Sequence, residues 1–293
     1  MAVVATVGGA LFPCPVEPEG VVRYGSAAHT TPAPAGLGRV SGRGRAMAAT
    51  PVRGSAGPGV QFLRAVVRDT VPHDPRAFTE GLEFRGAILY ESTGLVGESS
   101  VRAGLPGRPP SRHVELPAPY FGEGITLSGA RLWQLTWDDG IAVERDPVTL
   151  LERRRVSFRG EGWGLCHQQI GGRERLVMSD GTDRLTFRDP DTFTATGGID
   201  VRQDGAPATQ LNELECAPDG FVYANVHMTD TILRIDPRTG TVTANIDATG
   251  LLAAPERRED QQLNGIAAVP GTNTFLLTGK HWPRMFQVSF MPR

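Results

Sequence analysis

The sequence predicts an all-β fold, specifically a five-bladed β-propeller, on three observations. A hairpin pattern recurs five times along the chain, from Glu80 to Leu277. Its copies are spaced by 43, 40, 50 and 51 residues, a period typical of four-stranded propeller blades. Gly and Pro are also plentiful, at 36 and 23 of 293 residues, which suits many tight connections between short strands.

Each copy opens on an entrance residue, runs through an apolar strand and a Gly-containing turn, and returns in a second apolar strand. The first is Glu80-Gly81-Leu82-Glu83-Phe84, turning at Arg85-Gly86 into Ala87 to Tyr90. The second is Glu123 to Leu127, turning at Ser128-Gly129 into Arg131 to Leu135. The third is Trp163 to Cys166, with a longer turn through Gly171-Gly172, then Arg175 to Met178. The fourth is Glu213 to Cys216, turning at Asp219-Gly220 into Phe221 to Ala224. The fifth is Asn264 to Ala267, turning at Pro270-Gly271 into Thr274 to Leu277.

Outer hairpins follow three of the copies. Asp146-Pro147, Asp189-Pro190 and Asp236-Pro237 are turn initiators, and each is flanked by a strand-like run on both sides. The fifth copy retains a single further strand, Met285 to Phe290. The missing outer strand is expected from Phe62 to Val67, so that the N-terminal strand closes the last blade and leaves no open edge. Residues 61–293 are thus expected to form the propeller. Residues 1–58, rich in Gly, Ala, Pro, Ser and Arg without periodicity, are expected to be a disordered extension, within which Met47 is an alternative start.

Net charge is −2, from 30 basic and 32 acidic residues, so there is no basic face for nucleic acid. No apolar run approaches the roughly 20 residues of a membrane span. Met1 to Phe12 lacks a basic start and makes a poor secretory signal, and Leu11-Phe12-Pro13-Cys14 differs from a lipoprotein cleavage site by its Pro. The compartment stays open between a soluble intracellular protein and a secreted one, and a monomer is expected. Cys14, Cys166 and Cys216 are an odd set without metal-like spacing. Buried free thiols are expected at Cys166 and Cys216, not a disulfide.

Side chains from several blades converge where the inner strands begin, so ligand chemistry is expected there. That row carries Glu80, Glu123, Trp163, Glu213 and Asn264, with Phe78, Phe121, Asn212 and Gln210 beside it. Strand exits add Trp137, His227 and the run Lys280-His281-Trp282. Lys280 is the one lysine of the chain. Where every other basic side chain is Arg or His, a retained Lys points to a task unsuited to a wide guanidinium fork.

A resemblance is carried by Pro72 to Leu82, Glu91-Ser92-Thr93-Gly94-Leu95, Phe121-Gly122-Glu123-Gly124 and Gln134-Leu135-Thr136-Trp137. It continues through Glu161-Gly162-Trp163-Gly164-Leu165, Leu211 to Glu215, Leu263 to Ala267 and Thr278-Gly279-Lys280. In this order, from Val71 to Phe290, the chain resembles the plant and bacterial glutaminyl-peptide cyclotransferases. The resemblance implies a five-bladed propeller that cyclises the N-terminal glutamine of peptides or proteins to pyroglutamate, releasing ammonia, without metal or cofactor. It implies Glu123 as the catalytic acid/base, with Asn212 and Lys280 as polar active-site residues. Phe78, Phe121, Trp137 and Trp163 match aromatic walls. Glu80, Glu213, Asn264 and Trp282 complete the expected substrate-binding set, Glu80 or Glu213 holding the substrate ammonium. Two departures stand out: plant members carry Gln at the place of Glu80 and tend to carry Trp at that of His227.

Two other readings belong to different classes. A calcium-dependent propeller lactonase would recruit Glu80, Glu213, Asn212 and Asn264 as ligands. A non-catalytic peptide-binding propeller would need no buried Glu beside the sole Lys.

Overall fold

The computed structural model describes residues 59–253, 258 and 260–293. The expected disorder of residues 1–58, the alternative start at Met47 and Cys14 lie outside the described residues.

No α-helix occurs among the described residues, and the strands assemble into a β-propeller. After β1 (Gln61–Pro72), the first sheet is β2 (Thr79–Arg85), β3 (Ile88–Thr93), β4 (Ser100–Gly104) and β5 (Arg112–Glu115). The second is β6 (Gly122–Ser128), β7 (Arg131–Thr136), β8 (Ile141–Arg145) and β9 (Glu152–Ser157). The third is β10 (Leu165–Ile170), β11 (Arg173–Met178), β12 (Arg184–Arg188) and β13 (Ala195–Asp200). A short hairpin, β14 (Arg202–Gln203) and β15 (Ala206–Pro207), precedes β16 (Leu211–Cys216), β17 (Val222–Val226), β18 (Thr231–Asp236) and β19 (Thr241–Asp247). The chain ends in β20 (Leu263–Ala268), β21 (Phe275–Gly279) and β22 (Arg284–Pro292).

The N-terminal strand does what the open edge of β22 demands. β1 pairs antiparallel with β22 from Leu63↔Pro292 to Pro72↔Arg284. It also pairs parallel with β19 through Gln61↔Ala244 to Arg64↔Asp247, which merges the last two sheets into one. That second pairing, the β14–β15 hairpin and the outer strands β4 and β5 have no counterpart in the sequence reading.

Apolar clusters sit between successive sheets. Val101, Ile125 and Leu132 pack between the first and second, and Trp133, Leu165 and Leu176 between the second and third. Val177, Leu214 and Val222 follow, then Tyr223, Ile266 and Leu277. Leu82, Leu89, Ala267 and Leu276 join the last sheet to the first, so the ring closes through its core. The Asp-Pro turns are held by Asp side chains: Asp146 Oδ1 accepts from the Val148 and Thr149 amides, and Asp189 Oδ1 from those of Asp191 and Thr192, 2.8–3.0 Å away.

The cysteine expectation is overturned. Cys166 and Cys216 form a disulfide, their Cα atoms 5.4 Å apart. They are 50 residues apart in sequence, close to one blade repeat, so the ring brings them together from the neighbouring inner strands β10 and β16. Replacing both with Ser should cost about 2–4 kcal/mol of stability. Thermal unfolding should then begin roughly 5–15 °C lower than for the native chain. An equal Tm, with or without reductant, would show that the cross-link carries no load.

Candidate active site

The entrance residues stand on β-bulges. In four inner strands the ladder slips just after Thr79, Gly122, Leu211 and Leu263. The next residues, Glu80, Glu123, Asn212 and Asn264, occupy equivalent bulged positions, where a bulge re-aims the side chain. Trp163, two residues before the start of β10, fills the same place in the third sheet. The expected row is therefore corrected by one residue in the fourth copy: Asn212 is its entrance residue, not Glu213.

The following position explains the shift. It is Gly81, Gly124, Gly164 and Gly265 in four sheets, and a Cβ on Gly124 or Gly164 would lie 2.6 or 2.2 Å from a neighbouring backbone oxygen. In the fourth sheet the position holds Glu213, 1% exposed, whose carboxylate accepts from the Leu82 amide at 3.1 Å and the Ile266 amide at 2.8 Å. Glu213 thus ties three inner strands together, and neither oxygen is left for a substrate ammonium.

A second regularity fixes the rim. In four sheets the residue after the returning strand donates its N–H to the carbonyl two residues before the entrance position: Gly94 to Phe78, Trp137 to Phe121, His227 to Gln210 and Lys280 to Gln262, at 2.8–3.1 Å. This brings Phe78, Phe121, Trp137, His227 and Lys280 round the bulged residues. Phe121 meets Phe78 and Trp137 edge-on, with ring centroids 5.9 and 5.8 Å apart, and Trp163 meets His227 at 5.2 Å. The Lys280 ammonium lies 4.5 Å from the Phe78 ring centroid.

The polar centre combines Glu123, Glu80, Lys280, Asn264 and Asn212. Lys280 Nζ is 2.8 Å from Glu80 Oε1, and Asn264 Nδ2 donates to Glu80 Oε2 at 2.7 Å. Glu123 is 6% exposed. Its carboxyl is pushed well above the usual carboxylate range by burial and by the charges of Glu80 and Glu161, with Lys280 pulling the other way. Asn212 Nδ2 is 3.4 Å from His227 Nδ1, and burial together with the Lys280 charge lowers the affinity of His227 for a proton.

Trp282 moves from the expected wall into the core. It is 1% exposed, lies edge-on to Phe286 and belongs to the apolar cluster shared by the last two sheets. Gly279 makes room for it, since a Cβ there would fall 2.5 Å from the indole. Conversely, Glu161 has a part that the sequence reading left unassigned. Its Oε2 accepts from the indole N–H groups of both Trp137 and Trp163, each at 2.9 Å, and so orients two walls. The available signal was positional: Glu161 stands two residues before Trp163, as Phe78 and Phe121 stand before Glu80 and Glu123. Among the described residues, no three His, Cys, Asp or Glu side chains converge as metal ligands.

The glutamine cyclotransferase family model matches residues 44–290. A glutaminyl-peptide cyclotransferase of Arabidopsis thaliana is 38% identical over 224 residues, which span 74% of this chain and 68% of that protein. The crystal structure of Myxococcus xanthus glutaminyl cyclase superposes with a TM-score of 0.73 at 37% identity, covering 80% of this chain and 99% of that one. With a matching sequence profile, a matching relative and a matching fold, the chain belongs to the glutamine cyclotransferase family.

Proposed function

We propose that residues 61–293 form a five-bladed propeller enzyme that converts N-terminal glutamine of a peptide or protein to pyroglutamate with release of ammonia. The observation that carries this reading is a buried carboxyl with raised proton affinity, Glu123, sharing one mouth with the Lys280 ammonium and a ring of aromatic walls.

The substrate holds both reacting groups, so binding has only to fold one residue into a near-attack conformer. The α-amine nitrogen bonds to the γ-carbonyl carbon, and the carbonyl π pair moves onto oxygen. Lys280 and the Asn212 amide stabilise that oxygen. Glu123 takes a proton from the attacking nitrogen and gives one to the amide nitrogen. The C–N bond then breaks and ammonia leaves. A carboxyl whose proton affinity is raised exchanges protons with an amine at less cost than an ordinary carboxylate. The aromatic walls hold the glutamine side chain and exclude water.

The lactonase reading fails on its ligands, because Glu213 is committed to backbone amides and Glu80 to Lys280 and Asn264. The test is ammonia release from a glutaminyl dipeptide, with and without EDTA. Equal release in both arms, with pyroglutamate as co-product, is expected. No release from a folded preparation would refute the proposal, and loss of release on chelation would show that a metal takes part in the cyclisation.

A further inference from the structure

Glu80 is expected to receive the substrate's ammonium, but the Lys280 ammonium already sits against its carboxylate. It is 1% exposed. One carboxylate oxygen is 2.8 Å from Lys280 Nζ, and the other accepts from Asn264 Nδ2 at 2.7 Å. Asn264 is itself fixed by donating to the Thr79 carbonyl at 3.1 Å. The bulge of β2 that carries Glu80 is equivalent to the bulge of β6 that carries Glu123.

We propose that Glu80 is a positioning residue: clamped by Asn264, it anchors the Lys280 ammonium at the mouth and supplies the negative charge against which Glu123 works. This rests on the reading of Glu123 as the proton carrier. The charged groups acting on Glu123 are Glu80 from the first sheet, Lys280 from the last and Glu161 ahead of the third. His227, across the mouth, is held toward its neutral form by burial and by Lys280.

Glu80 and Lys280 act on Glu123 in opposite directions. Removing the charge of Glu80 abolishes that repulsion while the attraction of Lys280 stays, so ionised Glu123 is favoured. Burial also pushes the Glu80 carboxyl up to about 7 against the pull of Lys280, so the acid limb of kcat/KM against pH carries the coupled ionisation of Glu80 and Glu123 together with that of the substrate amine, and Glu123 must be ionised to take a proton. In Glu80→Gln that limb should move to lower pH by about one unit. Its kcat should fall about tenfold as Lys280 loses its anchor, with KM little changed.

Asn264→Ala separates anchoring from charge. Lys280 still favours the charged form of Glu80, so kcat should fall while the acid limb moves far less than in Glu80→Gln. This variant also supplies the test if Glu80→Gln does not fold. A residue that bound the α-ammonium would instead raise KM on substitution, with kcat and the limb unmoved, and that pattern in Glu80→Gln would overturn the proposal. An unchanged kcat in Asn264→Ala would do the same. Glu123→Gln, assayed alongside, keeps the two readings apart. Turnover in that variant would sink the underlying mechanism. An inactive Glu123→Gln beside an unmoved limb in Glu80→Gln would sink only the role given to Glu80.

Discussion

Replacing Glu123 with Gln is expected to lower kcat for a glutaminyl dipeptide by about a thousandfold or more while leaving the fold intact. General acid–base transfer contributes about 10²–10⁴ in rate, and Glu123 is proposed to serve both the attacking amine and the departing amide nitrogen. The substitution is isosteric and removes a buried carboxyl that pays a desolvation cost in the native state, so unfolding temperature should hold or rise. KM should change little, because the aromatic walls supply the binding. The wild-type acid limb should lie well above the usual carboxylate range, since burial and the negative neighbours raise Glu123. Activity therefore grows as pH rises through that limb and is lost below it. Dipeptide turnover within tenfold of wild type, in a variant with an unchanged circular dichroism spectrum, would remove Glu123 from the mechanism.

The second large effect is expected at Lys280. Lys280→Met should cost about 10²–10³ in kcat, the range observed when a donor to a developing oxyanion is removed. Its thioether chain can follow the same path over Phe78, so the loss reports the ammonium rather than the packing. Glu80 would then be buried without its cation and would take up a proton, at some loss of stability. Lys280→Arg should not restore the rate beyond about a tenth of wild type. A planar fork cannot place one compact charge both 2.8 Å from Glu80 and over Phe78. Full rescue by Arg, measured as initial ammonia release, would show that any cation suffices there.

The hairpins and turns were legible because their signals are local. Alternation, Gly-containing turns and Asp-Pro initiators act over a few residues, and the side-chain capture by Asp146 and Asp189 realises them. The closing strand was legible because β22 would otherwise present an open edge. What escaped depends on contacts between sheets. Glu213 replaces the glycine found at the equivalent place in the other inner strands, so a repeat aligned by residue type slipped by one, and only the bulge register corrects it. Cys166 and Cys216 pair across adjacent inner strands rather than along a hairpin, which no local pattern encodes. Trp282 follows Lys280 closely, yet it folds back over Gly279 into the core. In the first sheet the buried polar network of Arg102 with Glu91 and Asp74 broke the apolar alternation that would have revealed β4. The candidate site was read from side-chain type at equivalent positions, and Glu161, holding two indoles with one oxygen, is the member such a reading overlooks.

The most direct measurement is a crystal structure of the Glu123→Gln variant soaked with a glutaminyl dipeptide. The account predicts the α-amine beside the side chain at position 123 and the γ-carbonyl oxygen within hydrogen-bond reach of Lys280 and Asn212. The glutamine methylenes should lie against Phe121 and Trp163. A dipeptide bound with its γ-amide turned away from Lys280, or seated elsewhere on the propeller, would contradict it.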